Sequence, residues 1–229
     1  MDIKNNILEI KDKIEKSVEG TDKTVDDITI VAVSKNVDSQ KVVEAFNEGL
    51  INFGENRVQE FLKKFEEINE KISWHMIGHL QRNKVKYIYD KVNLIHSVDS
   101  IRLAKRINKY GRKNNKPISI LLEVNVAEDD SKFGFKTEEL ENAINEIAEF
   151  EYISIKGLMT VAPYFDDPEE ARPIFKKLKL FFDNLSKLEY NNVSMEYLSM
   201  GMSNDYHIAV EEGANIVRIG TDIFGERKY

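Results

Sequence analysis

The chain has 229 residues, 41% hydrophobic and 32% charged, which is ordinary for a globular protein and enough to bury a core. Its net charge of -7 argues against a dedicated nucleic-acid-binding protein, which needs a basic surface to neutralise phosphates, although a local basic pocket stays open. Because the chain has no cysteine, no leader-like N-terminus and no apolar run near the ~20 residues of a membrane span, we expect a cytoplasmic protein without disulfides, thiol chemistry or a membrane segment.

The first segment, residues 1–20, is predicted to form a helix that precedes the main fold. One helical face carries apolar residues at spacings of four, three, four and four: Ile3, Ile7, Ile10, Ile14 and Val18. The opposite face mixes lysine with acidic residues, whereas a helix that binds a membrane surface would be mainly basic. We therefore expect this helix to pack on its own domain.

From residue 28 onward, short apolar runs alternate with helical patterns. Eight runs are predicted to be strands: 28–34, 50–56, 73–78, 92–99, 118–126, 153–162, 193–201 and 215–225. Seven segments between them are predicted to be helices: 39–48, 56–70, 81–89, 100–114, 137–150, 168–188 and 204–212. This alternation favours an α/β fold, a single (β/α)8 TIM-type barrel, over a doubly wound open sheet. No Pro-, Gly- or Ser-rich linker interrupts it, so we expect one domain over residues 1–229.

Helix ends are also indicated. Asp167 before Pro168 is typical of an N-cap followed by the first helical residue, and Pro173 either kinks that helix or marks its true start. Only four residues follow Gly225, which leaves little room for an eighth helix. The N-terminal helix is expected to cover that side of the barrel.

Two strand ends carry polar residues that a barrel would bring to its mouth. The carboxyl ends of parallel barrel strands meet at one face, where barrel active sites lie. Lys35 follows the first strand and Asn56 follows the second. A lysine at a strand end is usually solvated, but a partly buried one can have a lowered pKa and form a Schiff base with an aldehyde.

The last two strand ends favour a phosphate site. The segment "SMGMSND" gives a turn before a helix, with the Ser203 hydroxyl and free backbone N–H groups, and "VRIGTD" adds Gly220 and Thr221. In isolation, Ser203 would be interpreted as an N-cap and Gly220 as a turn glycine. After strands seven and eight of a barrel, a phosphate is favoured. A ligand with an aldehyde and a phosphate is pyridoxal 5'-phosphate, and a phosphosugar bound by a Schiff-base aldolase also fits.

His75 and His79 are four residues apart, the spacing of zinc ligands on a helix. Their run is strand-like and contains Gly78, so we expect no shared metal and a place for His75 in the core or at the rim.

Several blocks in a fixed order carry a resemblance to a known family: "VAVSK", "FGEN" with "QE", "WHMIGHLQRNK", "GLM", "MGMSND" and "VRIGTDIFGER". From about Val31 onward the chain resembles the pyridoxal phosphate homeostasis protein family, whose barrel is similar to that of alanine racemase, the fold-type III group. The resemblance implies pyridoxal 5'-phosphate as cofactor, held as an internal aldimine by Lys35. It further implies that the phosphate is held by Ser203, Gly220 and Thr221, with the backbone of Met202. It also implies that Arg218 faces the pyridine nitrogen and that Asn56 lies beside the cofactor.

Three departures from the family pattern are expected to alter the pocket rim. Arg57 stands where the family usually has tyrosine, Arg82 replaces a common serine, and Ala214 with Asn215 replaces small hydroxylated residues.

The resemblance also bears on catalysis. Because Arg218 keeps its proton, a pyridine nitrogen facing it stays unprotonated, and the cofactor is then a weak electron sink. Racemases of this fold resemble two-domain proteins in which a second domain completes the site, and this chain ends at Tyr229. We expect a monomeric cofactor carrier that acts in pyridoxal phosphate homeostasis and serves pyridoxal phosphate-dependent apoenzymes, not an enzyme with robust turnover. The alternatives are a pyridoxal phosphate-dependent amino-acid racemase or decarboxylase and, third, the phosphosugar aldolase.

Overall fold

Eight parallel strands close into a barrel in which each strand pairs with the next and the last pairs with the first. The computed structural model describes residues 2–129 and 131–226, so the predicted domain limits at residues 1 and 229 lie outside the described residues. The strands are β1 (Thr29–Val33), β2 (Asn52–Glu55), β3 (Ser73–Met76), β4 (Leu94–Val98), β5 (Ile118–Glu123), β6 (Ile153–Met159), β7 (Val193–Met202) and β8 (Ile216–Ile219). The predicted (β/α)8 barrel is confirmed.

Helices surround the strands. They are α1 (Ile3–Val18), α2 (Ser39–Asn47), α3 (Val58–Glu67), α4 (Val85–Ile88), α5 (Ile101–Asn114), α6 (Leu140–Ala148), α7 (Arg172–Leu185), α8 (Tyr206–Glu211) and α9 (Thr221–Phe224). Short 3-10 turns lie at Val25–Asp27, Thr137–Glu139 and Pro168–Ala171. Within the described part of the chain, no helix is both long and apolar enough to cross a membrane.

The N-terminal helix α1 covers the side of the barrel that the short helices α8 and α9 leave open, as predicted. Its isoleucine face is buried, and it packs against both of these helices. The Asn6 side-chain amide donates a hydrogen bond of 2.9 Å to the carbonyl oxygen of Ile223 in α9. The Lys13 ammonium lies 5.0 Å from the ring centre of Tyr206 in α8. Since α8 and α9 are short, the buried face of α1 adds apolar cover there.

The predicted eighth strand, residues 215–225, is too long. β8 ends at Ile219, and the backbone of Gly220 turns to φ -120° and ψ -66°. The Gly220 carbonyl oxygen then accepts hydrogen bonds from the N–H groups of Ile223 and Phe224, which starts α9. Ile223 and Phe224 are buried, so their apolar character reflects packing of a helix and not a strand.

The region around Pro168 agrees with the cap prediction. The Asp167 carboxylate accepts a hydrogen bond of 3.0 Å from the Glu169 N–H, with Pro168 at the first position of a 3-10 turn. Pro173 lies in the first turn of α7, so it marks the start of that helix and does not kink it.

The barrel interior is apolar in one layer and polar in another. A small cluster fills the apolar layer with one side chain from each of five strands: Val31, Leu94, Leu121, Met159 and Ile216. Side chains alternate along a strand, so a residue two positions from an inward-facing one also faces inward where the strand is regular. Four of these inward positions form the polar layer: His75, His96, Ser199 and Arg218.

Candidate functional site

Lys35 lies in the turn directly after β1, at the carboxyl end of the barrel, and is half-buried. It is four residues beyond Val31, which belongs to the inward-facing positions. Asn36 follows with a positive φ of 57°, a conformation that asparagine tolerates, and this bends the chain toward α2. The first predicted site residue therefore lies at the mouth of the barrel.

A buried ionic network holds the Lys35 turn from below. The Lys64 ammonium, on α3, donates a hydrogen bond of 2.5 Å to the carbonyl oxygen of Ser34 and another of 2.7 Å to Glu55 Oε1. The Ser34 hydroxyl donates to the same Glu55 oxygen at 2.6 Å. Glu60 Oε1 accepts from Lys64 at 2.9 Å and also from the Asn36 backbone N–H. Both residues next to Lys35 are thus fixed by this network, which sequence reasoning missed.

The charges of this network are strongly desolvated. The side chains of Lys64 and Glu55 are 5% and 0% exposed. Burial raises the pKa of the Glu55 carboxyl, and the positive charge of Lys64 opposes that shift. Removal of the ammonium would leave a buried carboxylate without its counter-ion.

Arg218, on β8, is held deep in the barrel with its donors aimed at two neighbouring strands. One guanidinium nitrogen donates to Ser199 Oγ at 2.6 Å, and the other donates to the Thr160 carbonyl oxygen at 2.8 Å. Burial lowers the pKa of Arg218 to about 10, against the opposing charges of Asp205 and Glu123. The guanidinium therefore stays charged at neutral pH, with further N–H donors available.

A hydrogen-bonded chain continues from Ser199 across the barrel. Ser199 Oγ lies 3.0 Å from His96 Nδ1, His96 Nε2 lies 2.9 Å from His75 Nδ1, and His75 Nε2 lies 3.1 Å from Asn52 Oδ1. Because the Asn52 side-chain oxygen can only accept, His75 Nε2 donates to it, His96 Nε2 donates to His75 Nδ1, and the Ser199 hydroxyl donates to His96 Nδ1. Each histidine then carries its proton on Nε2.

Both histidines in this series of hydrogen bonds, His75 and His96, are neutral. Burial lowers the pKa of His75 to about 4. Burial also lowers the pKa of His96 well below its usual value, and the nearby His75 and Arg218 act in the same direction. His75 thus has a defined place in the polar interior, as expected.

The predicted phosphate segments come together after β7 and β8. The Gly220 N–H donates a hydrogen bond of 3.3 Å to the Ser203 hydroxyl, and Thr221 follows as the first residue of α9. Gly201 has φ 88°, and a Cβ there would lie 2.6 Å from Ala209 Cβ, so glycine permits β7 to approach α8 closely. Ser203, Gly220 and Thr221 thus form one cluster.

Met202 is placed beside this cluster, but its backbone is already engaged. Its N–H donates to Asp205 Oδ1 at 2.6 Å, and its carbonyl oxygen accepts from the Asp205 N–H at 3.0 Å. Met202 as a whole residue is 37% exposed. The side chain of Met202, and not its backbone, is therefore the part that can contact a ligand at the mouth.

Asn56 follows β2, next to the Lys35 turn. Its side-chain oxygen is buried and has no hydrogen-bond partner among the described residues. A Cβ at Gly78 would lie 2.6 Å from the Asn56 carbonyl oxygen, so glycine lets the two strand ends pack closely. Buried polar atoms are rarely left unpaired in a protein, which fits a ligand group beside Asn56.

Glu123, at the end of β5, was not predicted. Its Oε2 atom is buried and has no hydrogen-bond partner among the described residues. Burial raises the pKa of the Glu123 carboxyl to about 7, Asp99 adds to the shift, and Arg218 opposes it. A signal was present in the sequence, since Glu123 lies two residues beyond the inward-facing Leu121.

The three departures from the family pattern lie in different places. Arg57 is exposed before α3, and Arg82 is exposed in the loop after β3. Ala214 and Asn215 precede β8 and so lie at the opposite end of the barrel, where Asn215 accepts from the Leu198 N–H at 2.7 Å. The expectation that all three alter the pocket rim is wrong for this last pair.

His75 and His79 contact different partners. His79 Nδ1 lies 2.9 Å from Asp99 Oδ2, and the His79 ring stacks on Phe133 at 3.8 Å. Over residues 2–129 and 131–226, no group of three or more His, Asp or Glu side chains is arranged to hold a metal ion.

The four strands β7, β8, β1 and β2 are consecutive neighbours around the barrel. All of the predicted site residues follow or belong to these strands: Lys35, Asn56, Met202, Ser203, Arg218, Gly220 and Thr221. The predicted residues therefore lie along one arc of the barrel, which carries an amine, a serine–glycine–threonine cluster and a guanidinium.

Comparisons with known proteins show which families and folds the chain is similar to. The family model described as "Alanine racemase, N-terminal domain" matches residues 5–228. A pyridoxal phosphate homeostasis protein from Aquifex aeolicus is 45% identical over 221 residues, 96% of each chain.

Solved structures are similar over nearly the whole chain. PipY from Synechococcus elongatus PCC7942, with PLP bound, has a TM-score of 0.86 and 30% identity, covering 98% of this chain and 100% of PipY. Alanine racemase from Corynebacterium glutamicum has a TM-score of 0.75 at 14% identity, covering 98% of this chain and 61% of the racemase. The racemase comparison establishes the fold alone.

Proposed function

The chain belongs to the pyridoxal phosphate homeostasis protein family, which is built on the alanine racemase N-terminal domain, and from this membership we propose that it binds pyridoxal 5'-phosphate and acts in the homeostasis of that cofactor. The resemblance predicted from the sequence blocks is thereby confirmed. Homologues carry this name, and PipY has been solved with PLP bound.

The observation that carries the proposal is the arc of four neighbouring strand ends. It offers a half-buried lysine for the aldehyde, a serine–glycine–threonine cluster for the phosphate and a buried guanidinium for the ring nitrogen. The unpaired oxygen of Asn56 offers an acceptor beside them. This donor set fits the cofactor, whose aldehyde reacts reversibly with primary amines and whose phosphate is an anion.

Each residue has a distinct role. Lys35 supplies the amine, and the Lys64 network keeps its turn in position. Ser203, Gly220 and Thr221 bind the phosphate through a hydroxyl and backbone N–H groups, while Met202 lines the pocket wall and Asn56 contacts the cofactor's edge. Arg218 donates to the pyridine nitrogen with the N–H groups that Ser199 and Thr160 leave over.

Retention of the cofactor, and not robust turnover, is the activity that these residues favour. A guanidinium with a pKa of about 10 keeps its proton at neutral pH, so it cannot protonate the ring nitrogen fully. A neutral ring stabilises a developing carbanion only weakly. Amino-acid racemisation at enzyme-like rates, measured over a broad panel of amino acids, would contradict this part of the proposal.

The role of Lys35 is tested by absorbance and covalent mapping. The wild-type protein with PLP is expected to gain a visible absorbance band, and borohydride reduction should fix the cofactor's mass on the peptide that contains Lys35. Lys35→Ala should abolish both signals, whereas Lys41→Ala, at an exposed lysine in α2, should keep them. A wild-type protein that gains no visible absorbance band with PLP would contradict the proposal.

The phosphate cluster is tested by comparing two ligands. Ser203→Ala combined with Thr221→Ala removes two hydroxyl donors, so the affinity for PLP should fall about tenfold or more. Pyridoxal, which lacks the phosphate, serves as the control ligand, and its affinity should change little. Equal losses for both ligands would show that the cluster does not bind the phosphate.

Three finer points belong to the same proposal. We propose that the chain acts as a single barrel domain, as a monomer in the cytoplasm, and passes its cofactor to pyridoxal phosphate-dependent apoenzymes. The absence of cysteine in the sequence is compatible with the reducing environment of that compartment. Sedimentation with and without PLP tests the monomer, and recovery of activity by an apoenzyme mixed with the loaded protein tests the transfer.

A further inference from the structure

The chain concentrates positive charge in one segment although the whole protein is acidic. Residues 81–116 contain eleven lysines and arginines and only two acidic residues, against 33 and 40 in the whole sequence. This segment runs from the loop after β3 through α4 and β4 to the end of α5. Helix α5 alone carries six basic side chains and no acidic one.

Part of this charge lines a concave pocket of about 940 Å3 between the loop after β3 and α5. The pocket, called the basic pocket below, is lined by five cationic side chains: Arg82, Arg102, Lys105, Arg106 and Lys109. Arg102, Arg106 and Lys109 are spaced by four and three residues, so they share one face of α5. Its volume lies within the ~300–1,000 Å3 range of small-molecule sites.

The positive charge of the basic pocket is largely uncompensated. Arg82, Arg102 and Lys109 make no ion pair with any described residue, whereas Lys105 pairs with Glu146 at 2.7 Å. The Arg106 guanidinium donates to the Tyr110 hydroxyl at 3.3 Å, which leaves its charge in place.

The one acidic residue that lines the described pocket is Asp99. Its carboxylate oxygens already accept from the Ser100 hydroxyl at 3.0 Å and pair with His79 at 2.9 Å. A single engaged carboxylate cannot balance five cations. Like charges packed at helical spacing repel each other, so their arrangement costs stability unless an anion lies between them.

We propose that the basic pocket binds a small polyanion that carries two or more phosphate groups. Arginine presents a planar fork of donors that matches phosphate oxygens, and lysines add point charges around it. Several cations around one pocket favour several linked phosphates over a single one. The pocket lies by β3 and β4, outside the arc from β7 to β2 that forms the candidate cofactor site.

The test uses two variants that remove the same charges from the same helix. Arg102→Gln with Lys109→Gln changes two exposed residues inside the pocket, and Arg112→Gln with Lys113→Gln changes two exposed residues outside it. Calorimetric titration with pyrophosphate and tripolyphosphate at fixed ionic strength measures the affinity, with inorganic phosphate as the single-phosphate control. Circular dichroism and thermal melting check that both variants fold.

We expect saturable binding of one tripolyphosphate per chain, tighter than pyrophosphate, with inorganic phosphate weakest. The pocket variant should lose about tenfold or more in affinity and the control variant less than about twofold. Arg82→Gln, on a different element, should repeat the loss. The pocket variants should keep the visible absorbance band that the wild type gains with PLP, which separates this site from the proposed cofactor site.

Two outcomes would overturn the proposal. Equal losses in the pocket and control variants would show a diffuse basic face instead of a site. Stronger binding of a short single-stranded oligonucleotide, weakened equally by both variants, would show a nucleic-acid surface along α5.

Discussion

Glu123 ties the protein's stability to pH through its surroundings. Its pKa in the folded protein, about 7, exceeds the ordinary value of 4.5 because burial and Asp99 disfavour its charged form. The folded state therefore binds the proton more tightly than the unfolded state. This contribution is fully present below about pH 4.5 and is lost as the pH rises through about 7.

Replacing Glu123 by glutamine should remove this loss. Glu123→Gln keeps the size and polarity of the side chain, and its stability relative to the wild type should rise by about 3 kcal/mol between acidic and mildly alkaline pH. Urea unfolding of the cofactor-free protein across this pH range measures the change. Glu141→Gln, at an exposed position of α6, should follow the wild-type profile. Parallel profiles for all three proteins would refute the assignment.

Single residues differ in how far the sequence reveals them. Lys35, Ser203 and Arg218 were found because they end strands or lie in family blocks, and the structure brings their strands together. The hydrogen bonds that join His75 and His96 to Ser199 were missed because Ser199 lies 103 residues from His96 in the sequence. Such contacts depend on barrel closure, which no local pattern encodes.

Helix α3 acts as a support for the turn that carries Lys35. Lys64 lies three residues after Phe61 on the buried face of this helix, so a lysine in an apolar stripe was the available signal. Its ammonium joins α3 to the ends of β1 and β2 by contacts with Ser34 and Glu55. The order of this turn is therefore a property of three elements together.

Replacing Lys64 by methionine should test this support. Lys64→Met keeps the length of the side chain but leaves Glu55 buried without a counter-ion, so the free energy of unfolding should fall by about 3–5 kcal/mol at neutral pH. Denaturant unfolding measures the change, and PLP retention should weaken as the Lys35 turn loosens.

The neighbouring lysine offers a matched control for that variant. The Lys63 side chain is 73% exposed, and its ammonium lies 3.8 Å from Glu67 Oε1. Because exposed ion pairs contribute little, Lys63→Met should change the free energy of unfolding by less than about 0.5 kcal/mol. Similar losses in both variants would show that Lys64 contributes no more than a surface lysine.

The strands and helices were largely predictable, and the differences have local causes. All eight strands and the seven intervening helices occur, because alternation of apolar runs with helical periodicity is strong in this chain. The end of β8 was misplaced, since Ile223 and Phe224 continue the apolar run across Gly220. Whether an apolar residue packs from a strand or a helix is decided by tertiary contacts, here those with α1.

Helix α1 covers one side of the barrel as a whole. α1 packs against α8 and α9, which follow the two strands that carry the phosphate cluster. On the far side, the single tryptophan, Trp74 of β3, packs between the rings of Phe53 and Phe61 at 6.1 and 5.7 Å. Trp74 fluorescence therefore reports on a part of the barrel away from the main contacts of α1, which are with α8 and α9.

If α1 belongs to the cooperative fold, damage to it must also lower the stability reported by Trp74. Ile14 is fully buried, and Ile14→Ala should cost about 2–5 kcal/mol through lost apolar burial and the cavity it leaves. Circular dichroism and Trp74 fluorescence should shift together, as a two-state transition requires. Leu8→Ala, at a position that is 56% exposed in the same helix, should leave both curves near the wild type. An unchanged fluorescence transition in Ile14→Ala would show that α1 unfolds separately, as an appendage and not as a wall of the barrel.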